Sequence, residues 1–292
     1  MYARPAAATA AAVLGATALL LPGSASGTQE SPGKAGEPLV IAHRGASAYA
    51  PENTFAAIDL ADDMGFAWVE NDVQRTKDGE LVVVHDDSLA RTTDVEQRFP
   101  GRAPWKIKDF TAAEIATLDA GSWFGAQWAG ARVPTLKQYL NRVENNSQKL
   151  LLEIKKPETY PGIEKDTLRV LRETGWLDRH HVTHKLVIQS FSADSVRAVH
   201  EQRPDITTGF LGMPAVADLP WYAGFTDQIN PTHTSVTADY VAAVHALKGA
   251  HGKRLQVSTW TVNDAAAAMR VDGFGVDGII TNNPDVVRDA VD

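Results

Sequence analysis

The chain has 292 residues, of which 44% are hydrophobic and 22% charged, and it contains no cysteine. That length holds one large domain or two ordinary ones, and that apolar content can bury a sizeable core. Without cysteine there is no disulfide framework, thiolate metal site or lipid-bearing cysteine, and the net charge of −8 argues against nucleic acid as a partner.

Residues 1–27 come first. Arg4 precedes an apolar run from Ala10 to Leu21, and Pro22, Gly23 and small residues follow. A charged start, a short apolar stretch and a small-residue zone make a secretory signal peptide, with cleavage expected between about Ala25 and Thr28. The run falls short of the roughly 20 residues that span a bilayer. No stable membrane insertion is expected, and the mature protein is expected to be secreted. Residues 1–27 carry one Arg and no acid, so removing them takes −8 to −9. Residues 28–38 (TQESPGKAGEP) are small, polar and rich in Pro and Gly, as in a flexible leader.

From residue 39 short apolar runs alternate with segments of helical period. The runs predict strands at 39–43, 68–73, 81–85, 149–154, 185–190, 206–211, 227–230, 255–260 and 277–281. Helices are predicted at 54–65, 135–145, 161–175, 192–202, 238–248, 264–270 and 284–291, the first capped by Asn53 or Thr54. Only seven residues separate Val73 from Leu81, and they include Lys77-Asp78-Gly79. A parallel crossover needs about a dozen residues, so 81–85 is the return strand of a hairpin. Eight strands remain, which predicts an α/β fold, a (β/α)8 TIM barrel, over 39–292. An open doubly wound sheet would call for a Gly-rich loop after the first strand, and none is present. The segment 86–134, with "GSWFGAQWAG", exceeds an ordinary connection and reads as a small insertion after the second strand. Its Trp123, Phe124 and Trp128 are expected to form its core.

In such barrels reactive groups sit at the C-terminal ends of the strands. His43 and Arg44 end the first strand there; Glu70 and Asp72 lie near the end of the second. His85 ends the hairpin strand, Glu153 and Lys155 the next, and Trp260 a later one. Residues two apart on a strand share a face, so Glu70 pairs with Asp72 and Glu153 with Lys155, while Asn71 points away. Three converging carboxylates repel unless a hard cation joins them, and Ca2+ or Mg2+ prefers such oxygens. Arg44 and Lys155 suit an anionic substrate. The two histidines suit general acid–base work, and together the parts meet the needs of phosphodiester cleavage. Each motif alone has a structural explanation; the weight lies in their falling at the same strand ends.

The motifs His43-Arg44-Gly45, Pro51-Glu52-Asn53-Thr54, Glu70-Asn71-Asp72-Val73, Thr76-Lys77-Asp78-Gly79, His85-Asp86 and Glu153-Ile154-Lys155 stand in order. With the later "SFS", "TWTVN" and "VDGIITNNP", the chain resembles the glycerophosphodiester phosphodiesterase family, in its secreted bacterial form. The resemblance implies hydrolysis of a small-molecule glycerophosphodiester to sn-glycerol 3-phosphate and an alcohol, through a cyclic phosphate. It implies His43 and His85 as the acid–base pair and Glu70, Asp72 and Glu153 as ligands of one Ca2+ or Mg2+. Arg44 and Lys155 would hold the phosphate, Trp260 would flank the glycerol with Phe191 near it, and Glu52 would accept from an active-site side chain. Gly45 would leave room for the substrate. The alternative is a phospholipase D-like enzyme acting on lysophospholipids or sphingomyelin, which needs an apolar rim to reach a membrane. The remaining histidines, at 180, 181, 184, 200, 233, 245 and 251, read as surface residues. Head-group preference and oligomeric state are left open.

Overall fold

The computed structural model describes residues 36–292. The signal peptide expected at 1–27, and most of the leader expected at 28–38, lie outside the described residues. The apolar runs form β1 (Leu39–Ala42), β2 (Trp68–Arg75), β3 (Leu81–Val83), β4 (Lys149–Ile154), β5 (Leu186–Ser190), β6 (Thr207–Leu211), β7 (Gln228–Asn230), β8 (Gln256–Thr259) and β9 (Gly278–Thr281). Eight of them close into a parallel ring in the order β1-β2-β4-β5-β6-β7-β8-β9, and β9 pairs back onto β1. β3 runs antiparallel to β2, with Val73 opposite Val83 and Arg75 opposite Leu81, so it is the hairpin return and no stave. Gly79 gives the intervening turn its positive φ of 89°, which a residue without Cβ adopts freely.

The helices are α1 (Phe55–Asp63), α2 (Val95–Arg98), α3 (Ala112–Ile115), α4 (Leu136–Asn145), α5 (Ile163–Glu173), α6 (Arg179–His184), α7 (Ala193–Gln202), α8 (Leu219–Ala223), α9 (Ala238–His245), α10 (Ala265–Asp272) and α11 (Pro284–Val291). Their starts follow from capping chemistry. Thr54, Thr135, Ser192, Thr237 and Asp264 each accept a backbone N–H of the first turn, a contact worth about 1 kcal/mol. α6 and α8 were not foreseen, because six and five residues are too few to show a helical period.

Two apolar clusters fill the space between ring and helices. One joins β1, β2, β4 and β5 to α1, α4 and α5 through residues such as Ile58, Leu140, Leu152 and Leu171. The other joins β7, β8 and β9 to α9, α10 and α11 through Ile229, Val241, Val271 and Val287. Inside the ring, Ile41, Leu151, Val187 and Ile280 form a separate aliphatic layer. A recess at the C-terminal strand ends reaches this layer at Ile280, and a second at the N-terminal ends reaches it at Ile41, Leu151 and Val187.

Between β3 and α4 the chain builds a core of its own from Val82, Leu89, Val95, Ile107, Phe110, Ile115 and Leu118. This corrects the sequence expectation. Trp123 is exposed, Phe124 and Trp128 are half-buried, and none belongs to that core. Arg102 covers this core from its surface: its guanidinium lies 3.8 Å from the Phe110 ring centroid and donates to Glu114 at 2.6 Å.

Candidate active site

β1 stops at Ala42, one residue short of the strand expected at 39–43, because the backbone turns. Arg44 has φ 58° and Gly45 φ 81°, and this left-handed pair aims His43 and Arg44 over the C-terminal mouth. Gly45 serves this turn and not the substrate. A Cβ there would lie 2.5 Å from the Ala57 carbonyl carbon, so the glycine lets α1 approach β1. The Gly45 expectation is corrected on that point.

β2 and β4 lie side by side with Asp72 opposite Glu153, and their alternation turns Glu70, Asp72 and Glu153 into the mouth. All three are buried, and each offers an oxygen within 4.8 Å of the others. Among the described residues no other group of three or more His, Asp or Glu side chains converges so closely. Asn71, pointing the other way, is fully buried and does not line the recess. Arg44 donates its backbone N–H to Glu70 Oε2 at 3.0 Å and sets Nε 3.2 Å from Asp72 Oδ2. Asn53, itself at φ 59°, donates to the same Asp72 oxygen at 2.8 Å. Lys155 Nζ pairs with Glu153 at 2.7 Å and with Asp72 at 3.6 Å. Glu70 Oε1 and Asp72 Oδ1 remain buried without a hydrogen-bond partner.

The two histidines enter from different sides. His43 Nδ1 meets Asn282 Oδ1 at 2.6 Å, and its Nε2 stands 3.9 Å from Glu70. His85 comes from the hairpin, beyond the end of β3, with Nδ1 2.7 Å from Asp86 Oδ1. Both line a recess of about 70 Å³ together with Arg44, Glu70, Glu153, Lys155, Gln189, Phe191 and Trp260. Trp260 is fixed by a hydrogen bond from Nε1 to the Asn230 carbonyl at 2.8 Å. Phe191, half-exposed, stands edge-on to it at 5.3 Å, with Lys155 Nζ 5.5 Å from the Phe191 ring. Glu52 accepts from Arg44 Nη1 at 2.9 Å.

Burial and charge set the protonation of the centre. Desolvation, reinforced by Asp72 and Glu153, pushes Glu70 well above the ordinary carboxylate range. Desolvation and Asp72 push Glu153 to about 7. Burial raises Asp72 too, but Arg44 and Lys155 outweigh it and hold that carboxyl at about 2. His43 falls to about 4 through burial and the adjacent Arg44, and burial also lowers His85. Two carboxylates resisting ionisation beside a third, with two orphaned oxygens, form a site that a hard divalent cation fits: it accepts those oxygens and offsets the repulsion.

The structure gathers the ten residues singled out from the sequence: His43, His85, Glu70, Glu153, Arg44, Lys155, Trp260 and Phe191 line the recess, Asp72 is buried beside Glu70 and Glu153, and Glu52 stands one step back. The family model described as "Glycerophosphoryl diester phosphodiesterase family" matches residues 43–286. The chain belongs to the glycerophosphoryl diester phosphodiesterase family. It is accordingly an enzyme, a phosphoric diester hydrolase. A glycerophosphodiester phosphodiesterase of Bacillus subtilis (strain 168) is 35% identical over 262 residues, covering 85% of this chain and 84% of that one. One from Caldanaerobacter subterraneus is 34% identical, covering 87% and 97%. Among solved structures, an Oleispira antarctica phosphodiesterase in complex with the product sn-glycerol-3-phosphate matches with TM-score 0.73. It is 30% identical, covering 87% of this chain and 97% of that one.

Four residues of this phosphodiesterase mouth had no role assigned from the sequence. Asn53 had been considered only as a helix cap, yet Thr54 is the cap and Asn53 serves Asp72. Asn282 was visible in "VDGIITNNP" but nothing local tied it to His43, 239 positions away. Asp86 and Arg91 lie in a loop whose path no periodicity encodes. The other histidines are exposed or half-buried, and His181, His245 and His251 pair with acids away from the mouth.

Proposed function

We propose that the protein hydrolyses glycerophosphodiesters to sn-glycerol 3-phosphate and an alcohol, in a divalent-cation-dependent reaction. The observation that carries this is the convergence of two imidazoles, two cations and the carboxylates of Glu70 and Glu153 in one recess, with Asp72 buried against them. Glu70, Asp72 and Glu153 would hold Ca2+ or Mg2+. Such an ion, when bound, supplies positive charge that offsets charge building up on phosphoryl oxygens. Arg44 and Lys155 bind the remaining phosphoryl oxygens and orient the ester, and Trp260 with Phe191 excludes water on the glycerol side.

In the first step the glycerol hydroxyl next to the ester attacks phosphorus, and the bond from phosphorus to the alcohol oxygen breaks. One imidazole takes the hydroxyl proton while the other gives a proton to the departing oxygen. Water then opens the cyclic phosphate with those roles exchanged. The ring partners favour an assignment. His43 leans on the neutral amide of Asn282 and suits the base, because its Nε2 keeps a free lone pair. His85 leans on the Asp86 carboxylate, which stabilises an imidazolium, and suits the acid.

The test is release of glycerol 3-phosphate from diesters with several head groups, with chelator and with Ca2+ or Mg2+ added back. Turnover that survives chelation would overturn the cation dependence, and turnover on lysophosphatidylcholine but not glycerophosphocholine would favour the phospholipase D-like alternative. We also propose that residues 1–27 direct export. N-terminal sequencing of protein from culture medium would show a start near residues 25–28, and retention of the intact chain inside the cell would refute export.

A further inference from the structure

Arg91 lies outside the recess, yet its guanidinium spans two carboxylates that each hold a side chain of the site. Nε donates to Asp86 Oδ2 at 2.6 Å and Nη1 to Glu52 Oε2 at 2.8 Å. Nη2 donates to both Asp86 Oδ1, at 3.1 Å, and Glu52 Oε1, at 2.8 Å. Those last two oxygens are the ones that meet the site: Asp86 Oδ1 contacts His85 Nδ1 at 2.7 Å and Glu52 Oε1 accepts from Arg44 Nη1 at 2.9 Å. One nitrogen thus stands between the hairpin histidine and the β1 arginine. The Arg91 side chain is 43% exposed and belongs to no apolar cluster, so burial does not account for its geometry. Only a planar fork can make four such bonds at once; an ammonium is a single point donor.

We propose that Arg91 is a positioning residue that ties His85 to Arg44 across the mouth. His85 and Asp86 follow the hairpin, Arg44 and Glu52 follow β1, and this guanidinium fixes the two pairs relative to each other. Without it, the Glu52 and Asp86 carboxylates lose their common counter-charge and each is free to turn from its partner. The proposal rests on the reading of His85 and Arg44 given above.

The experiment is steady-state kinetics of the full chain on one glycerophosphodiester, with melting temperatures taken alongside. Arg91→Met should lower kcat/KM by about 10- to 100-fold, the scale of a misplaced catalytic group, through both a lower kcat and a higher KM. Asp86→Asn should act chiefly on kcat and Glu52→Gln chiefly on KM. Adding Arg91→Met to the Asp86→Asn, Glu52→Gln double variant should cost less than about threefold more, because groups acting as one unit are not additive. Arg91→Lys should recover little, since it restores charge without the fork. Arg91→Met within about threefold of wild type, costs that multiply through the cycle, or a loss explained by a lower melting temperature would overturn the proposal. His85→Ala and Arg44→Ala separate the two failures. If both keep wild-type rates, the reading of the site fails and takes the proposal with it. If both lose activity and Arg91→Met does not, the proposal alone fails.

Discussion

At the barrel mouth three carboxylates from β2 and β4 stand within 4.8 Å of one another, and Glu70 Oε1 and Asp72 Oδ1 have no hydrogen-bond partner. In the insertion, the single carboxylate of Asp119 takes hydrogen bonds from the backbone of Gly121, Ser122 and Gly130 and from the Ser122 hydroxyl, all within 2.9 Å. The residue chemistry is the same and the outcome is opposite. Asp119 is satisfied and spends its charge on holding a loop. At the mouth the protein supplies no donor to those oxygens, as a buried acid does when its bonds are kept for something else. The difference separates an acid that builds the fold from acids that the fold holds ready.

The largest effect that tests this division concerns the histidines. His43→Ala removes a group from the barrel ring and His85→Ala one from the hairpin. Each should lower kcat by about 10²–10⁴-fold with an unchanged circular dichroism spectrum. A near-normal rate for His85→Ala alone would reduce the hairpin side to scaffolding. Next in size is the cation. Wild-type protein should melt higher when Ca2+ or Mg2+ is added, by about 2.7 kcal/mol of stabilisation at one hundred times Kd. Glu153→Gln should need more cation for the same shift. No shift in differential scanning fluorimetry with either ion would remove the reason offered for the orphaned oxygens.

For the insertion, Asp119→Ala should cost about 0.5–1.5 kcal/mol, since it removes hydrogen bonds whose donors water can reach, and should speed limited proteolysis around 119–131. The effect should depend on pH. Burial pushes the Asp119 carboxyl up, but the donors of Ser122, Gly121 and Gly130 outweigh it and hold it well below the usual carboxylate range. A folded-state pKa below the unfolded value of about 3.9 means the stabilisation is complete above that pH and is lost as pH falls through the folded pKa. The gap between wild type and variant should therefore be full at neutral pH and narrow on strong acidification. The smallest effect belongs to Lys156→Ala. Its exposed pair with Asp87, 2.5 Å apart, should contribute less than about 1 kcal/mol to the melting free energy.

The barrel was legible because its signals are local and repeated. Apolar runs such as "KLLLEI" and "LVIQS" name their strands, threonines and aspartates mark helix starts, and the short gap after Val73 betrays a hairpin. The site residues were legible because the same runs end in polar exceptions at one end. The insertion was less so. Its core is assembled from isolated residues such as Leu89, Ile107 and Leu118, spaced without period, and its conspicuous Trp123 ends exposed. The contacts Asn53–Asp72, Asn282–His43 and Arg91–Glu52 join residues 19, 239 and 39 positions apart, distances that only the closed ring brings together.

The ring closes at an uneven seam. β2 and β4 share six registered pairs, whereas β1 and β2 share one, Ala42 opposite Val69. Immediately past that single pair, the Arg44 backbone reaches Glu70 and the Arg44 side chain reaches Asp72. The ladder between the first and second staves is thus continued by the candidate site itself. In this protein the clasp of the barrel and the proposed cation seat are made of the same atoms, so a variant that trades away Glu70 or Asp72 loosens the hoop as well as that seat.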